Sequence, residues 1–177
     1  MDFEPLRFPI GPFQRPLQIE SQHVKQWIEV IARFPSLIDL ETRGLSVEQL
    51  NGSYRPAGWS IKQVVHHCAD SHMNSFIRFK LALTERRPTI RPYFEDRWAE
   101  LADSQCDDLS GSIAILSGVH MRWALLLRSL GPEELARSFN HPESDRIIAL
   151  DETVGLYAWH CEHHLAHVRQ ALEAHGK

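Results

Sequence analysis

Apolar residues recur at helical spacing in four long stretches of the chain. Val24, Trp27, Ile28 and Ile31 predict a first helix from about Ile19 to Phe34. Pro35 predicts a break or kink, because the residue before a proline is pushed out of the helical region. Leu37, Ile38 and Leu40 carry the pattern on to Gly44, which suits a C-terminal stop. A second helix is predicted from Trp59-Ser60 to about Arg86, through Val64, Val65, Ala69, Phe76 and Phe79. A third spans about Asp108 to Leu130. Its Ile113, Leu116, His120, Trp123, Leu127 and Leu130 alternate three and four apart, a bundle-like seam. The last runs from a cap at Asp151 or Thr153 to about His175, and Tyr157, Ala158, Cys161, Leu165, Val168 and Leu172 form its apolar stripe.

The stretches between are punctuated in ways that have physical causes. Residues 1–17 read as an extended arm, since Pro5, Pro9, Pro12 and Pro16 oppose a regular helix. Phe3, Leu6, Phe8 and Phe13 predict that the arm packs on something, its own domain or a partner subunit. Ser46 with Gln49, and Ser60 with Gln63, are capping boxes. Glu95 to Leu101 reads as a short helical turn between proline-rich loops. Phe139 and Ile147-Ile148-Ala149, separated by a polar turn with a proline, predict a small hairpin. The expected fold is all-α, a four-helix bundle with that hairpin before the last helix, in one domain covering 1–177.

Composition narrows the function. A chain of 177 residues can bury a substantial core. Lysine and arginine total 19 against 23 acidic residues, net −4, which argues against a nucleic-acid binder that works by neutralising phosphates. No apolar run is read as a membrane span, and the first residues lack a basic region followed by an apolar one, so a cytoplasmic location is expected. The odd count of 3 cysteines, with Cys68 and Cys161 in helical patterns, reads as buried free thiols rather than a disulfide framework.

The chemistry concentrates in the last helix, where His160, His163, His164 and His167 fall within one short run. Residues four apart share a helix face, so His160/His164 and His163/His167 each form a pair able to offer two imidazoles to one ion. At about 100° per residue, the first pair borders the apolar stripe and His163 is expected to face solvent. The run is not His-Glu-x-x-His: Glu162 stands two places after His160, so no zincin-type base is encoded. Two histidines hold a divalent ion poorly. The second helix offers His66, His67 and His72 as partners, and periodicity alone does not choose among them.

Two stretches resemble a known family. Arg55 to Lys80, which contains Trp59, Ser60, His66-His67 and His72, resembles the DinB-like superfamily, and within it the YfiT/BstA group of metal-dependent hydrolases and bacillithiol transferases. Tyr157 to His167 resembles the second signature of that group. The resemblance implies the metal ligands: His67, eight places after Trp59, with His160 and His164. It implies one divalent ion per chain, zinc or nickel, with open positions for water or substrate. It implies a small-molecule substrate and, with the arm's aromatics, a homodimer.

Three neutral imidazoles leave a bound ion its full charge, which acidifies a water ligand for hydrolysis. The same effect on a low-molecular-weight thiol gives the alternative, a metal-dependent thiol S-transferase. A second alternative is a metal-stapled binding or stress-response module without turnover, although structural zinc sites normally use four protein ligands. Ser60, His67, Ser71, Asn74 and Arg78 form one strip of the second helix. Within it Arg78 suits a carboxylate or phosphate and Asn74 a polar group of a substrate. His120, on the seam of the third helix, reads as a core histidine, with support of a ligand as the alternative.

Overall fold

The structure, a computed structural model, describes residues 4–175. Phe3 and the ends of the 1–177 domain lie outside that range. In chain order the elements are α1 (Glu4–Arg7), α2 (Ser21–Thr42), α3 (Val47–Leu50), α4 (Ile61–Thr84), α5 (Glu95–Trp98), α6 (Ser110–Ser129), α7 (Pro132–Leu135), β1 (Ser138–His141), β2 (Arg146–Ala149) and α8 (Leu150–Ala174).

The four long helices form a bundle in which α2 packs on α6 and α8, and α4 packs on the same two. Thus α2 and α4 lie diagonally across the bundle, as do α6 and α8. Two of the three connections between successive long helices therefore cross it. The α6-to-α8 crossing carries α7 and the β1–β2 hairpin, whose Phe139 and Ile148 pair across the strands and turn into the core. The arrangement sets α4 beside α8 and so brings two histidine-bearing faces together.

Local chemistry explains most element ends. Ser60 accepts from the Gln63 backbone N–H, and the Gln63 side chain accepts from the Ser60 N–H, closing the capping box that opens α4. Ser46 and Gln49 do the same for α3. Gly44 takes φ +75°, the left-handed conformation that ends α2 with little steric cost. The start of α8 differs from expectation: it begins at Leu150, and neither Asp151 nor Thr153 caps it. Instead the Thr153 hydroxyl donates back to the Ala149 carbonyl.

Three further expectations change. The first helix does not break at Pro35 but runs through it to Thr42, with Phe34, Pro35 and Ile38 all buried. The arm is not wholly extended, because Pro5 sits in the first turn of α1, where a missing N–H costs nothing. And α6 is long and apolar enough, by length and composition alone, to cross a membrane. One face of it, with Leu116, His120, Trp123 and Leu127, is buried against the bundle.

The arm packs on its own chain. The carbonyls of Leu6, Arg7 and Gly11 accept from Gln170, His167 and Trp159, all on α8. Phe8 lies 5.8 Å from the His163 ring. The expected homodimer therefore loses the support it drew from the arm.

Close approach of α2 and α8 depends on Gly155. An added Cβ there would lie 2.9–3.1 Å from the Trp27 ring. Gly155→Ala is expected to destabilise the protein by about 1–2 kcal/mol in chemical denaturation, overpacking outweighing the better helix propensity of alanine. A variant as stable as the parent would contradict that packing.

Candidate metal centre

His67 projects from α4 two turns after the Ser60 cap, with the Trp59 ring 4.6 Å away. His160 and His164 project from α8 one turn apart, their rings 4.3 Å apart and edge-on. The His67 Nε2 lies 3.3 Å from the His160 Nε2. His67, His160 and His164 offer nitrogen atoms all within 4.8 Å of one another. An ion bound by imidazoles at about 2.0–2.1 Å in tetrahedral geometry sets its donors about 3.3–3.4 Å apart. The His67–His160 separation matches that spacing and the third donor lies within 4.8 Å, so three neutral imidazoles stand where they could close on a divalent ion.

The electrostatics favour the ligand-competent form. Burial, followed by the charge of His163, lowers the His67 pKa to about 4. Burial and then neighbouring imidazoles hold His160 and His164 well below the ordinary histidine value. All three are therefore neutral at neutral pH, with a lone pair on one ring nitrogen. The cluster lines a cavity of about 550 Å³. Its wall also carries the Ser71, Tyr93 and Tyr157 hydroxyls, three guanidiniums (Arg7, Arg55, Arg78) and the carboxylates of Glu95, Asp96 and Glu143. The Tyr157 hydroxyl lies 3.2 Å from the Ser71 hydroxyl. Burial, and next the neighbouring Tyr157, push the Tyr93 phenol up, so it stays protonated.

The structure separates the three candidates on α4. His66 turns to α6 and the loop before it, where its ring nitrogens meet the Ser112 hydroxyl at 2.8 Å and the Cys106 carbonyl at 2.9 Å. His72 is completely buried and hydrogen-bonded to two other histidines, His120 at 2.7 Å and His160 at 2.9 Å. His67 alone of the three lines the cavity. Arg78 also lines it, whereas Asn74 does not: its amide donates to the Asp70 carbonyl at 2.9 Å.

His163 does not face solvent. It is buried, stacked on Trp159 at 4.4 Å between ring centres, and covered by the arm. The periodicity argument counted only the bundle core, while α8 buries a second face against the arm. His167 is buried there too, stacked on Tyr54. His163, His164 and His167 form a further cluster that could hold an ion, and the His163 Nδ1 is buried with no partner. A third cluster, Cys68 with His72 and His160, is a poorer donor set, because burial pushes the Cys68 thiol up and keeps it protonated.

Sequence reasoning did not pick out Tyr93, Arg55 or the cavity-lining position of Tyr157. Tyr157 stands three places before His160 on one helix face, a signal that was available. Tyr93 and Arg55 lie in loops, where no period points to them. The free cysteines give a simple check: Cys106 is exposed, while Cys68 and Cys161 are buried. A thiol reagent is expected to label one cysteine in the native protein and all three only on unfolding, read by intact mass. Native labelling of Cys68 or Cys161 would contradict this packing.

Comparison with known proteins identifies the family and matches the fold. The DinB superfamily profile matches residues 26–168. YfiT of Bacillus subtilis, provisionally named a metal-dependent hydrolase, is 46% identical over 171 residues, covering 97% of this chain and 96% of its own. A similarly named protein of Oceanobacillus iheyensis is 45% identical, covering 92% of this chain and 93% of its own. The solved structure of B. subtilis YfiT, described as having an unusual four-helix bundle topology, superposes with a TM-score of 0.94 at 44% identity. That match covers 97% of this chain and 98% of the other.

Proposed function

The chain belongs to the DinB superfamily, and from that premise we propose that it is a metal-dependent hydrolase of a small molecule. In this reading His67, His160 and His164 hold one divalent ion, zinc or nickel; availability decides between two metals that both accept imidazole. The observation that carries it is the 3.3 Å approach of two Nε2 atoms from different helices on the wall of a cavity large enough for a substrate. A divalent ion bound there supplies a Lewis acid that lowers the pKa of a water or thiol coordinated to it.

The chain's own residues do the rest. Neutral imidazoles leave the ion's charge uncompensated. The Ser71 and Tyr157 hydroxyls orient polar groups of the substrate beside the ligands. Arg55, whose buried Nε has no partner, and Arg78 receive an anionic group.

A second reading, a thiol S-transferase, is favoured by one observation. Among the described residues no carboxylate hydrogen-bonds to any of the three imidazoles; their ring and hydrogen-bond partners are imidazoles, Trp59 and Tyr157. Hydrolysis calls for a base to take the proton of water, which here falls to carboxylates of the wider cavity wall (Glu95, Asp96, Glu143), whereas a thiol with a lowered pKa is already a nucleophile. Cys68 and Cys161 are buried and protonated, and the exposed Cys106 does not line the cavity, so that thiol comes from solution.

The test is turnover by untagged protein with and without chelator. One arm uses a panel of esters and amides; the other adds a low-molecular-weight thiol and 1-chloro-2,4-dinitrobenzene. Chelator-sensitive hydrolysis supports the first reading, and chelator-sensitive conjugation only with thiol supports the second. Stoichiometric metal without turnover in either arm would overturn both and leave a binding module.

A further inference from the structure

Pro35 sits inside α2, where a proline ordinarily costs about 3 kcal/mol. In an α-helix the N–H of residue 35 would bond to the carbonyl of Ile31, and proline has no N–H to give. That carbonyl instead accepts from the His120 Nδ1 of α6, at 2.6 Å. Two further contacts then run in series. His120 Nε2 meets His72 Nδ1 at 2.7 Å, and His72 Nε2 meets His160 Nδ1 at 2.9 Å. His72 is 0% and His120 1% exposed, so water does not intervene as a competing partner.

We propose that Pro35, His120 and His72 are positioning residues for the metal centre: a carbonyl released by a helix-interior proline sets the tautomers of a buried imidazole relay, so that His160 presents an unprotonated Nε2 to the ion. The inference rests on the three-histidine reading. Its logic is directional. A carbonyl can only accept, so the His120 Nδ1 carries hydrogen and its Nε2, in the neutral ring, must accept. His72 Nδ1 therefore donates and His72 Nε2 accepts. His160 Nδ1 then donates, which leaves the lone pair on its Nε2, the atom that faces His67. Burial keeps His120 neutral, with its pKa lowered to about 4, which excludes the reverse polarity at neutral pH. A second carbonyl does the same for another ligand. The His167 Nε2 donates to the Arg7 carbonyl at 3.0 Å, so its Nδ1 accepts from the His164 Nδ1 at 3.4 Å and frees the His164 Nε2. Metal-bound histidines usually donate their other N–H to a carboxylate or carbonyl. Here the backbone carbonyl acts at a distance, through neutral rings that add no negative charge to the ion.

The test needs no turnover. Two-bond proton–nitrogen correlation spectra of the metal-free protein, labelled with ¹⁵N-histidine at pH 7, are expected to show His72, His120 and His160 neutral with the proton on Nδ1. His160 protonated on Nε2 would overturn the relay. His120→Leu is expected to scramble the His72 and His160 tautomers and to weaken zinc binding about 10–100-fold in chelator competition. His120→Gln, whose amide offers both a donor and an acceptor, is expected to recover most of that loss. Pro35→Ala, which gives the carbonyl a competing N–H, shifts affinity the same way by a smaller factor. Undiminished affinity in folded His120→Leu would also overturn the relay. Failure of the wild-type protein to bind zinc would defeat the three-histidine reading instead, and the metal-free spectrum would still decide the relay.

Discussion

His160→Ala is expected to lower zinc affinity by more than 100-fold, beyond what loss of a ligand's outer hydrogen-bond partner causes. Two reasons combine. The variant leaves only two imidazoles, His67 and His164, around the ion. It also removes the end of the relay, so the His72 Nε2 loses its partner inside the core. His67→Ala and His164→Ala should fall in the same range, since each removes one of three donors. His163→Ala is the control: its ring belongs to the neighbouring cluster and its Nδ1 already lacks a partner, so affinity should change less than about tenfold on the outer-partner scale. Chelator competition measures the affinities, and far-ultraviolet circular dichroism checks that each variant folds. If all three ligand variants keep stoichiometric zinc, the assignment is wrong. If His163→Ala loses the metal instead, the site is the cluster under the arm.

The metal-free protein is expected to unfold as pH falls from about 6.5 toward 4. Burial lowers the pKa of His72 and His164 well below the ordinary value, that of His120 to about 4 and that of His167 to about 3. In the unfolded chain each returns to the usual histidine range near 6.5. The sign follows directly. Below pH 6.5 the unfolded state binds more protons than the folded one, so stability is complete above that pH and is lost as pH drops toward the folded values. At pH 5.5 the cost is about 1–2 kcal/mol for each fully depressed histidine. His72, His120 and His164 together then cost about 4 kcal/mol, against a typical domain stability of about 5–15 kcal/mol. His67, His163 and His167 act in the same direction. Zinc binds the folded state and should move the transition to lower pH. Denaturant titrations from pH 7.5 to 4.5, with chelator and with zinc, measure both effects. A metal-free midpoint that stays constant over that range would show that these histidines are not neutral and buried.

Much of the fold was legible because its helices obey one period. The seam of Leu116, His120, Trp123 and Leu127 is buried as its spacing implies, and both capping boxes form around Ser46 and Ser60. The hairpin also stands where alternation and turn residues put it. The diagonal crossings were not legible, since amphipathic stripes say which face is buried but not which neighbour covers it. The same limit hid which histidine of α4 lines the cavity. That helix packs against both α6 and α8, so His66, His67 and His72 each lie near a buried face, and only the placement of α8 singles out His67. His163 was misplaced for a related reason: the arm returns over α8 through backbone carbonyls, which leave no pattern in side chains. Pro35 reads in the sequence as a helix breaker. In the fold its missing N–H leaves Ile31 free to bind His120.

The central claim is that three imidazoles and no thiol surround one divalent ion. X-ray absorption at the zinc edge of untagged protein, loaded with one equivalent of zinc, tests it most directly. The account predicts a shell of nitrogen and oxygen donors only, at about 2.0–2.1 Å, with the outer-ring scattering of three imidazoles. A sulfur donor at about 2.3 Å, which would bring Cys68 into the site, or the signature of one imidazole or none, would contradict it.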